Sequence, residues 1–166
     1  MQLYNKLSAK ERASLIEKAG KRRITLSFYK YHQIKNTSLF RDHLYLMWEK
    51  LDVLGRIYIA SEGINAQLSM PSQNLNEFKT KLDSIDFLKE IRLNVAVEQD
   101  DFSFLKLKVK IRNKIVADGL SENSFDLSNN GTHVNASEFN TLIENPNTLL
   151  VDMRNHYESE IGHFDG

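Results

Sequence analysis

The stretch at residues 56–70, RIYIASEGINAQLSM, predicts a β-hairpin near the middle of the chain. Its two arms, 56–60 and 64–70, have the composition of strands and are separated by the tripeptide Ser-Glu-Gly. The glycine can take the positive φ that a tight turn needs. We therefore expect two neighbouring strands here, joined by a turn within residues 61–65.

A strand and a helix are predicted on each side of this hairpin. Residues 24–31 alternate apolar and polar side chains as a strand does, and a helically spaced apolar pattern then runs from about 39 to 51. After the hairpin, a second helix is predicted from Pro71 onward, followed by a strand at 91–97. The order β-α-β-β-α-β predicts an α+β, ferredoxin-like domain. Both helices then cover one face of an antiparallel sheet, and the other face is free for a ligand or a partner.

A short helix is predicted ahead of this domain, at about residues 9–19. Ser8 and Glu11 have the spacing of a capping box, and Gly20 is a plausible stop. The helix is expected to pack on its own domain, and the alternative is an arm that docks on a partner.

An additional basic strand is predicted at residues 104–112. Aliphatic residues at odd positions alternate there with cations at even ones, so period-two geometry places the cations together on one face. These cations are Lys106, Lys108, Lys110 and Arg112. They repel one another unless an anion or solvent offsets their charge. Two interpretations stay open: a stripe that follows nucleic-acid phosphates, or an edge strand whose lysines prevent aggregation.

A change in composition predicts the domain boundary. Residues 121–132 are rich in Ser, Asn, Asp and Gly, which is typical of a linker. We expect a first domain at 1–120, a linker at 121–131 and a second domain that starts at 132 and runs to 166. In this second domain, Asn135 begins a predicted helix, and Leu149 to Asp152 form a predicted buried strand.

Charge and cysteine content limit the classes of function. The chain has 166 residues, 22 cations, 22 anions and no cysteine. A neutral chain has no overall field to attract RNA or a membrane, so such binding needs a local patch. The N-terminus lacks the apolar core of a secretory signal, and no run is long enough to span a bilayer. We therefore expect a soluble cytoplasmic protein with no disulfides, no membrane contact and no metal site.

The last residues resemble the opening of a rhodanese domain. The matching features are an apolar strand, Asp152-x-Arg154, the pair Tyr157-Glu158 and then Gly162-His163. The resemblance implies that Asp152 and Arg154 form a charged pair near the active site. A purely structural salt bridge is the favoured alternative, and His163 is expected to be a packing residue. A whole rhodanese unit needs roughly 100 residues or more, so this chain is expected to hold only the front of such a domain. A rhodanese site is organised around a cysteine, and this chain has none, so it is expected to be inactive alone.

Nearly the whole chain resembles the rhodanese-domain tRNA uridine hydroxylases. The resemblance rests on SFYKY at 27–31, GRIYIASEGINAQ at 55–67, KLKVK at 106–110, IVADG at 115–119 and DMRNHYE at 152–158. It implies an acylphosphatase-like domain joined to a rhodanese domain, in an oxidoreductase that converts the wobble uridine of tRNA to 5-hydroxyuridine. Molecular oxygen is the implied co-substrate, and no other cofactor is identified. Residues 32–37 contain no Gly-rich phosphate loop, so hydrolase activity is not expected.

The resemblance and the residues together predict an RNA-binding surface for the anticodon arm of tRNA. Aromatic side chains beside cations favour single-stranded bases, and their alternative role is packing within the sheet. The candidates are Tyr29, Lys30, Tyr31, Arg56, Tyr58, Lys106, Lys108, Lys110 and Arg112. Two other functions stay open: a rhodanese-type sulfurtransferase, and a non-enzymatic ferredoxin-like module that binds a protein or a small anion.

Overall fold

The structure is a computed structural model that describes residues 3–19, 22–98, 100–116, 131–154 and 156–164. The chain divides into two compact units, with the division between Leu127 and Ser128. The predicted linker, 121–131, lies almost entirely outside the described residues, so its boundaries stay a prediction. The two units are described separately.

The first unit contains three helices and five strands within its described residues. In chain order they are α1 (Ala9–Ala19), β1 (Arg23–Tyr31), α2 (Thr37–Glu49), β2 (Leu54–Ala60), β3 (Gly63–Pro71), α3 (Leu75–Asp83), β4 (Asn94–Val95) and β5 (Leu107–Ile111). Single 3₁₀ turns precede and follow α3, at Ser72–Asn74 and Asp86–Leu88.

The strands form one sheet in the order β4-β1-β3-β2-β5. The first four strands pair antiparallel, whereas β5 runs parallel to β2 on the outer edge. This is the predicted ferredoxin-like arrangement with one additional strand, so the predicted fold class of the first domain is confirmed.

Three predicted boundaries need correction. β4 is only Asn94–Val95, because it pairs with just two residues of β1. The flanking Ile91 and Leu93 instead pack half-buried against the core without a strand partner. β5 begins at Leu107, three residues after the predicted start. The turn of the hairpin is confined to residues 61–62, so Asn65 lies inside β3 and not in a turn.

The core lies between one face of the sheet and the helices α2 and α3. Trp48 of α2 is fully buried, with its ring centroid 6.3 Å from Phe28 of β1 and 5.6 Å from Phe78 of α3. Truncation of such a side chain to alanine costs about 3–5 kcal/mol, since the cavity left behind adds to the loss of burial. These contacts fix the helices on one face, and we call the opposite face of the sheet the open face.

The predicted N-terminal helix packs on its own unit. Ile16 of α1 is buried, and the Arg12 guanidinium pairs with the Asp52 carboxylate at 2.8 Å. Ser8 and Glu11 exchange the hydrogen bonds of the predicted capping box. The prediction that this helix packs on its own domain is therefore confirmed, and the alternative of a docking arm is not supported.

The second unit contains two helices in its described residues, α4 (Ala136–Ile143) and α5 (His156–Ser159). Asn135 and Glu138 form a reciprocal capping box at α4, as predicted for Asn135. The predicted buried strand is wrong, because Leu149 and Val151 are 85% and 60% exposed and residues 148–153 are not in a strand. The reason is physical: the described part of this unit offers no neighbouring strand to complete a ladder or a layer to cover the side chains.

Candidate nucleic-acid interface

Two rows of side chains cross the open face from β1 to β5. Residues that pair directly in a sheet project on the same side, so the register of the strands defines each row. The tyrosine row contains Tyr29, Asn65, Tyr58 and Lys110. The neighbouring arginine row contains Ser27, Gln67, Arg56 and Lys108. The predicted alternation of β5 thus places its lysines beside aromatic and amide side chains from three other strands.

Solvent reaches both rows. Tyr29 is 56% exposed, and the side chains of Arg56, Gln67, Lys108 and Lys110 are exposed as well. The remaining members, on the inner strands, are half-buried. Directly paired side chains are separated by about 5 Å and successive rows by about 7 Å, so the two rows form one continuous surface.

Both ends of the open face are covered. At one end Leu54 and Ser69, which follow the arginine row in register, are buried together with Arg23. At the other end Ile115 is buried, and its backbone is held by the hairpin. The Ile115 N–H donates to Glu62 at 2.8 Å, and the Asn65 side chain donates to the Ile115 carbonyl at 3.1 Å. The two rows are therefore the accessible window of this face.

The cations of the window have no carboxylate partner within the described ranges. No ion pair forms at Arg56, Lys108 or Lys110 in this part of the chain. Arg112 follows β5, and its guanidinium lies over the Tyr58 ring, 5.4 Å from the centroid. Cations that meet no counter-charge among the described residues form a local positive patch, which the neutral composition of the chain as a whole does not provide.

Three predicted candidates stand apart from the two rows. Lys30 is paired in register with Ile64, a core residue, so it lies on the opposite face from its neighbours Tyr29 and Tyr31. Lys106 precedes β5 and is half-buried, and its carbonyl accepts from the Gly55 N–H at 3.0 Å. Tyr31 lies beyond the tyrosine row, with its ring 6.4 Å from the Tyr29 ring in an edge-to-face arrangement.

A buried arginine at the covered end was not predicted from the sequence. Arg23 is 3% exposed, and it donates to the Asp52 carboxylate at 3.0 Å and to the Ser69 carbonyl at 3.0 Å. Its backbone N–H donates to Asp101 at 2.5 Å. Burial lowers the pKa of Arg23, and the nearby Asp52 charge opposes that shift. The sequence gives no indication of this network, because its members lie far apart in the chain.

A cavity of about 390 Å³ lies along the outer edge of β5. Leu3, Asn5, Arg41 and Tyr45 line it together with residues 107–110. The Asn5 amide donates to the Leu107 carbonyl and accepts from the Leu107 N–H, both at 2.9 Å. Burial raises the pKa of Tyr45, and the charge of Glu49 adds to that effect. The cavity adjoins the two rows, because Lys108 and Lys110 line it as well.

The Asp-x-Arg motif of the second unit forms a tight ion pair. The Arg154 Nη2 lies 2.6 Å from one oxygen of Asp152 and also donates to the Gly162 carbonyl at 3.0 Å. Side-chain and backbone hydrogen bonds from Arg154 lower the pKa of Asp152 to about 2. His163 Nδ1 lies 3.3 Å from the Ser159 carbonyl, and the side chain of Glu158 lies outside the described residues. The role of these four residues in rhodanese chemistry stays a prediction.

Neither a metal site nor a membrane span is found in the part of the chain that the structure describes. No three His, Asp or Glu side chains converge there as metal ligands. Among the same residues, none of the helices combines the length and the apolar character needed to cross a bilayer.

The fold and the two rows define an acylphosphatase-like α+β domain with a cationic open face. Residues 23–115 match the family model described as UPF0176 acylphosphatase like domain. This match covers more than half of the chain, and the chain therefore belongs to the UPF0176 family.

Three bacterial proteins named tRNA uridine(34) hydroxylase are similar over almost the whole chain. The protein of Leptospira interrogans is 55% identical over 150 residues, which are 90% of this chain and 41% of that protein. The protein of Photorhabdus laumondii is 47% identical over 164 residues, or 98% of this chain and 47% of that protein. The protein of Yersinia pestis is 47% identical over 164 residues, covering 98% and 46%. The chain thus spans less than half the length of these relatives.

Proposed function

We propose that the whole protein hydroxylates the wobble uridine of tRNA to 5-hydroxyuridine, and that the first unit of this chain holds the anticodon arm. The names of the three relatives support the substrate and the reaction. Molecular oxygen is the proposed co-substrate. This chain contains no cysteine, so in this proposal the thiol expected of a rhodanese site belongs to residues outside it.

The observation that carries the tRNA-holding role is the set of unpaired cations on the open face. Arg56, Lys108 and Lys110 project from two adjacent strands, and no carboxylate among the described residues neutralises them. Contacts with phosphates dominate the affinity of proteins for nucleic acids, and they position the partner without reading its sequence. A backbone that follows β5 and β2 would satisfy all three cations at once.

The test is tRNA binding by this chain across a series of salt concentrations. Lys108→Glu/Lys110→Glu should weaken binding and flatten the log-log salt slope by ~0.7–0.9 for each phosphate that the variant no longer binds. The matched control is Lys79→Glu/Lys81→Glu, which makes the same change in charge on exposed positions of α3. That helix covers the other face of the sheet, so the control should keep both affinity and slope close to wild type.

Equal decreases in affinity in the two double variants would show that net charge, and not the open face, governs binding. The activity of the whole protein requires a separate test. 5-Hydroxyuridine in tRNA should disappear when the gene is deleted and return when the full-length protein is restored. Thiosulfate turnover without any change in hydroxyuridine would instead support a sulfurtransferase.

A further inference from the structure

We infer that the open face binds single-stranded RNA, with bases stacked against Tyr29 and Tyr58 on either side of Asn65. This inference rests on the proposed function and deepens it, because it names the form of RNA and the way in which its bases are held. The observation behind it is the tyrosine row, in which two rings flank an amide and a cation follows at the edge.

The spacing within the row suits stacked bases. Tyr29 and Tyr58 belong to β1 and β2, and both pair with Asn65 of the strand between them. Two strand spacings separate the tyrosine backbones by about 10 Å, which leaves room above the shorter Asn65 side chain for a base against either ring. Aromatic rings bind bases of single-stranded RNA by stacking, whereas a duplex keeps the faces of its bases covered.

The central amide is already oriented for a hydrogen bond to a base. The Asn65 Nδ2 donates to the Ile115 carbonyl at 3.1 Å. This contact fixes the orientation of the amide, with its nitrogen directed at Ile115 and its oxygen directed away. The Oδ1 atom receives no hydrogen bond from any residue that the structure describes. An oriented acceptor between two aromatic rings can take an N–H from the edge of a stacked base, which is how single-stranded bases are read.

The distribution of charge gives the bound strand a direction across the sheet. Arg56, Lys108 and Lys110 lie on the β2–β5 side, and Tyr29 lies on the β1 side. The phosphates are therefore held towards β5, and the bases extend over the tyrosine row towards β1. Arg112 lies over one face of the Tyr58 ring, so a base that stacks on the other face completes a sequence of guanidinium, ring and base.

The size of the window also favours a short single strand over a duplex. From β1 to β5 the rows span about 14 Å. A protein domain that binds double-stranded RNA contacts about 16 base pairs, which is a much longer surface. The buried residues Leu54, Ser69 and Ile115 mark the ends of the window along the strands. An unpaired loop can place a few nucleotides in this space, and a long rigid helix would contact only its rim.

The experiment measures the binding of a fluorescein-labelled single-stranded oligoribonucleotide and of the same strand annealed to its complement. Tyr29→Leu and Tyr58→Leu should each weaken single-strand binding ~10-fold or more, because each removes one stacking surface. Tyr29→Phe and Tyr58→Phe keep the ring and should stay within about twofold of wild type. Tyr4→Leu is the matched control, since Tyr4 is 63% exposed and lies outside both rows.

The salt series separates stacking from phosphate binding. The leucine variants should weaken binding at every salt concentration with an unchanged slope, since every cation that meets a phosphate is still present. Thermal unfolding of each variant confirms that the sheet is intact. If Tyr58→Leu does not fold, Tyr29→Leu, at the exposed end of the row, still tests whether bases stack on the tyrosines.

The inference is overturned if both leucine variants bind like wild type, or if the duplex competes as well as the single strand. In that case, a loss of binding in Lys108→Glu/Lys110→Glu alone would leave the proposed tRNA-holding role intact. If the wild-type chain binds neither the single strand nor tRNA, the proposed role and the inference both fail.

Discussion

The guanidinium of Arg23 donates hydrogen bonds to both the carboxylate and the backbone carbonyl of Asp52, at 3.0 and 2.5 Å. Asp52 lies in the loop before β2, with a backbone φ of 53° that residues other than glycine seldom adopt. Arg12 of α1 pairs with the second oxygen of the same carboxylate. One aspartate thus connects the N-terminal helix, the first strand and a strained loop, and it closes one end of the open face.

Replacement of Arg23 by methionine should lower the free energy of unfolding by about 2–4 kcal/mol. The substitution removes a buried hydrogen bond to the Ser69 carbonyl and releases the loop at Asp52. Urea denaturation gives the difference directly. Arg22→Met, at the exposed neighbouring position, should change stability by less than ~0.5 kcal/mol. A decrease below ~1 kcal/mol for Arg23→Met would show that the network contributes little.

Gly63→Ala should destabilise the chain by about 2 kcal/mol or more. Gly63 begins β3 at a φ of 151°, and a Cβ there would overlap the Lys30 carbonyl. Neither the backbone nor the paired strand can move away without breaking the ladder. Gly131→Ala is the control, because a Cβ at that position meets no atom within 4 Å. Comparison of the thermal midpoints tests the prediction, and equal midpoints would contradict it.

Asn5→Ala should make the Leu107 amide exchange with solvent faster. The Asn5 side chain supplies both hydrogen bonds to the outer side of Leu107, in the manner of a neighbouring strand. Removal of the pair should cost about 1–2 kcal/mol locally, which corresponds to roughly 5- to 30-fold faster exchange. Lys6→Ala, at an exposed position next to it, serves as the control. Unchanged protection of Leu107 would mean that solvent fully replaces the amide.

Arg154→Ala should return the pKa of Asp152 from about 2 towards its ordinary value. The depressed pKa means that the charged pair is stabilising above the ordinary carboxyl range and loses that effect as the pH falls through about 2. Carbon-detected NMR titration of the carboxylate reports the value at this exposed site. Asn140→Ala, on α4, should leave the titration unchanged. A midpoint near 2 in the arginine variant would exclude the ion pair as the cause.

The sequence is sufficient to predict the order of elements and the faces of the strands in the first unit. Alternation alone places Tyr29 on the same side of β1 as Ser27, and Lys108 on the same side of β5 as Lys110. The tyrosine row is not predictable in this way, because it depends on which residue of β3 lies opposite Tyr29. Register is set by packing and turn geometry across the sheet, so it appears only when the strands are paired.

Two further limits of prediction from the sequence are shown by Lys30 and by the apolar run at residues 149–151. Lys30 is a neighbour of two tyrosines in sequence, but the pleat of β1 directs it to the other face. The apolar run has the composition of a buried strand, yet it is exposed where the described part of its unit supplies no partner strand. The local sequence pattern indicates that a segment can form a buried strand. Whether it does so depends on the strands and layers that pack against it.

The parallel pairing of β5 with β2 has a consequence for the order in which the sheet is completed. The chain is synthesised from its N-terminus, so β1 to β4 leave the ribosome before residues 107–111 do and can pair first. Until then β2 is the unprotected edge of the nascent sheet, and such an edge invites pairing with other chains. The arrival of β5 closes that edge and delivers Lys108 and Lys110 in the same step. The nascent chain therefore acquires its cationic border in the same step that covers the edge of β2.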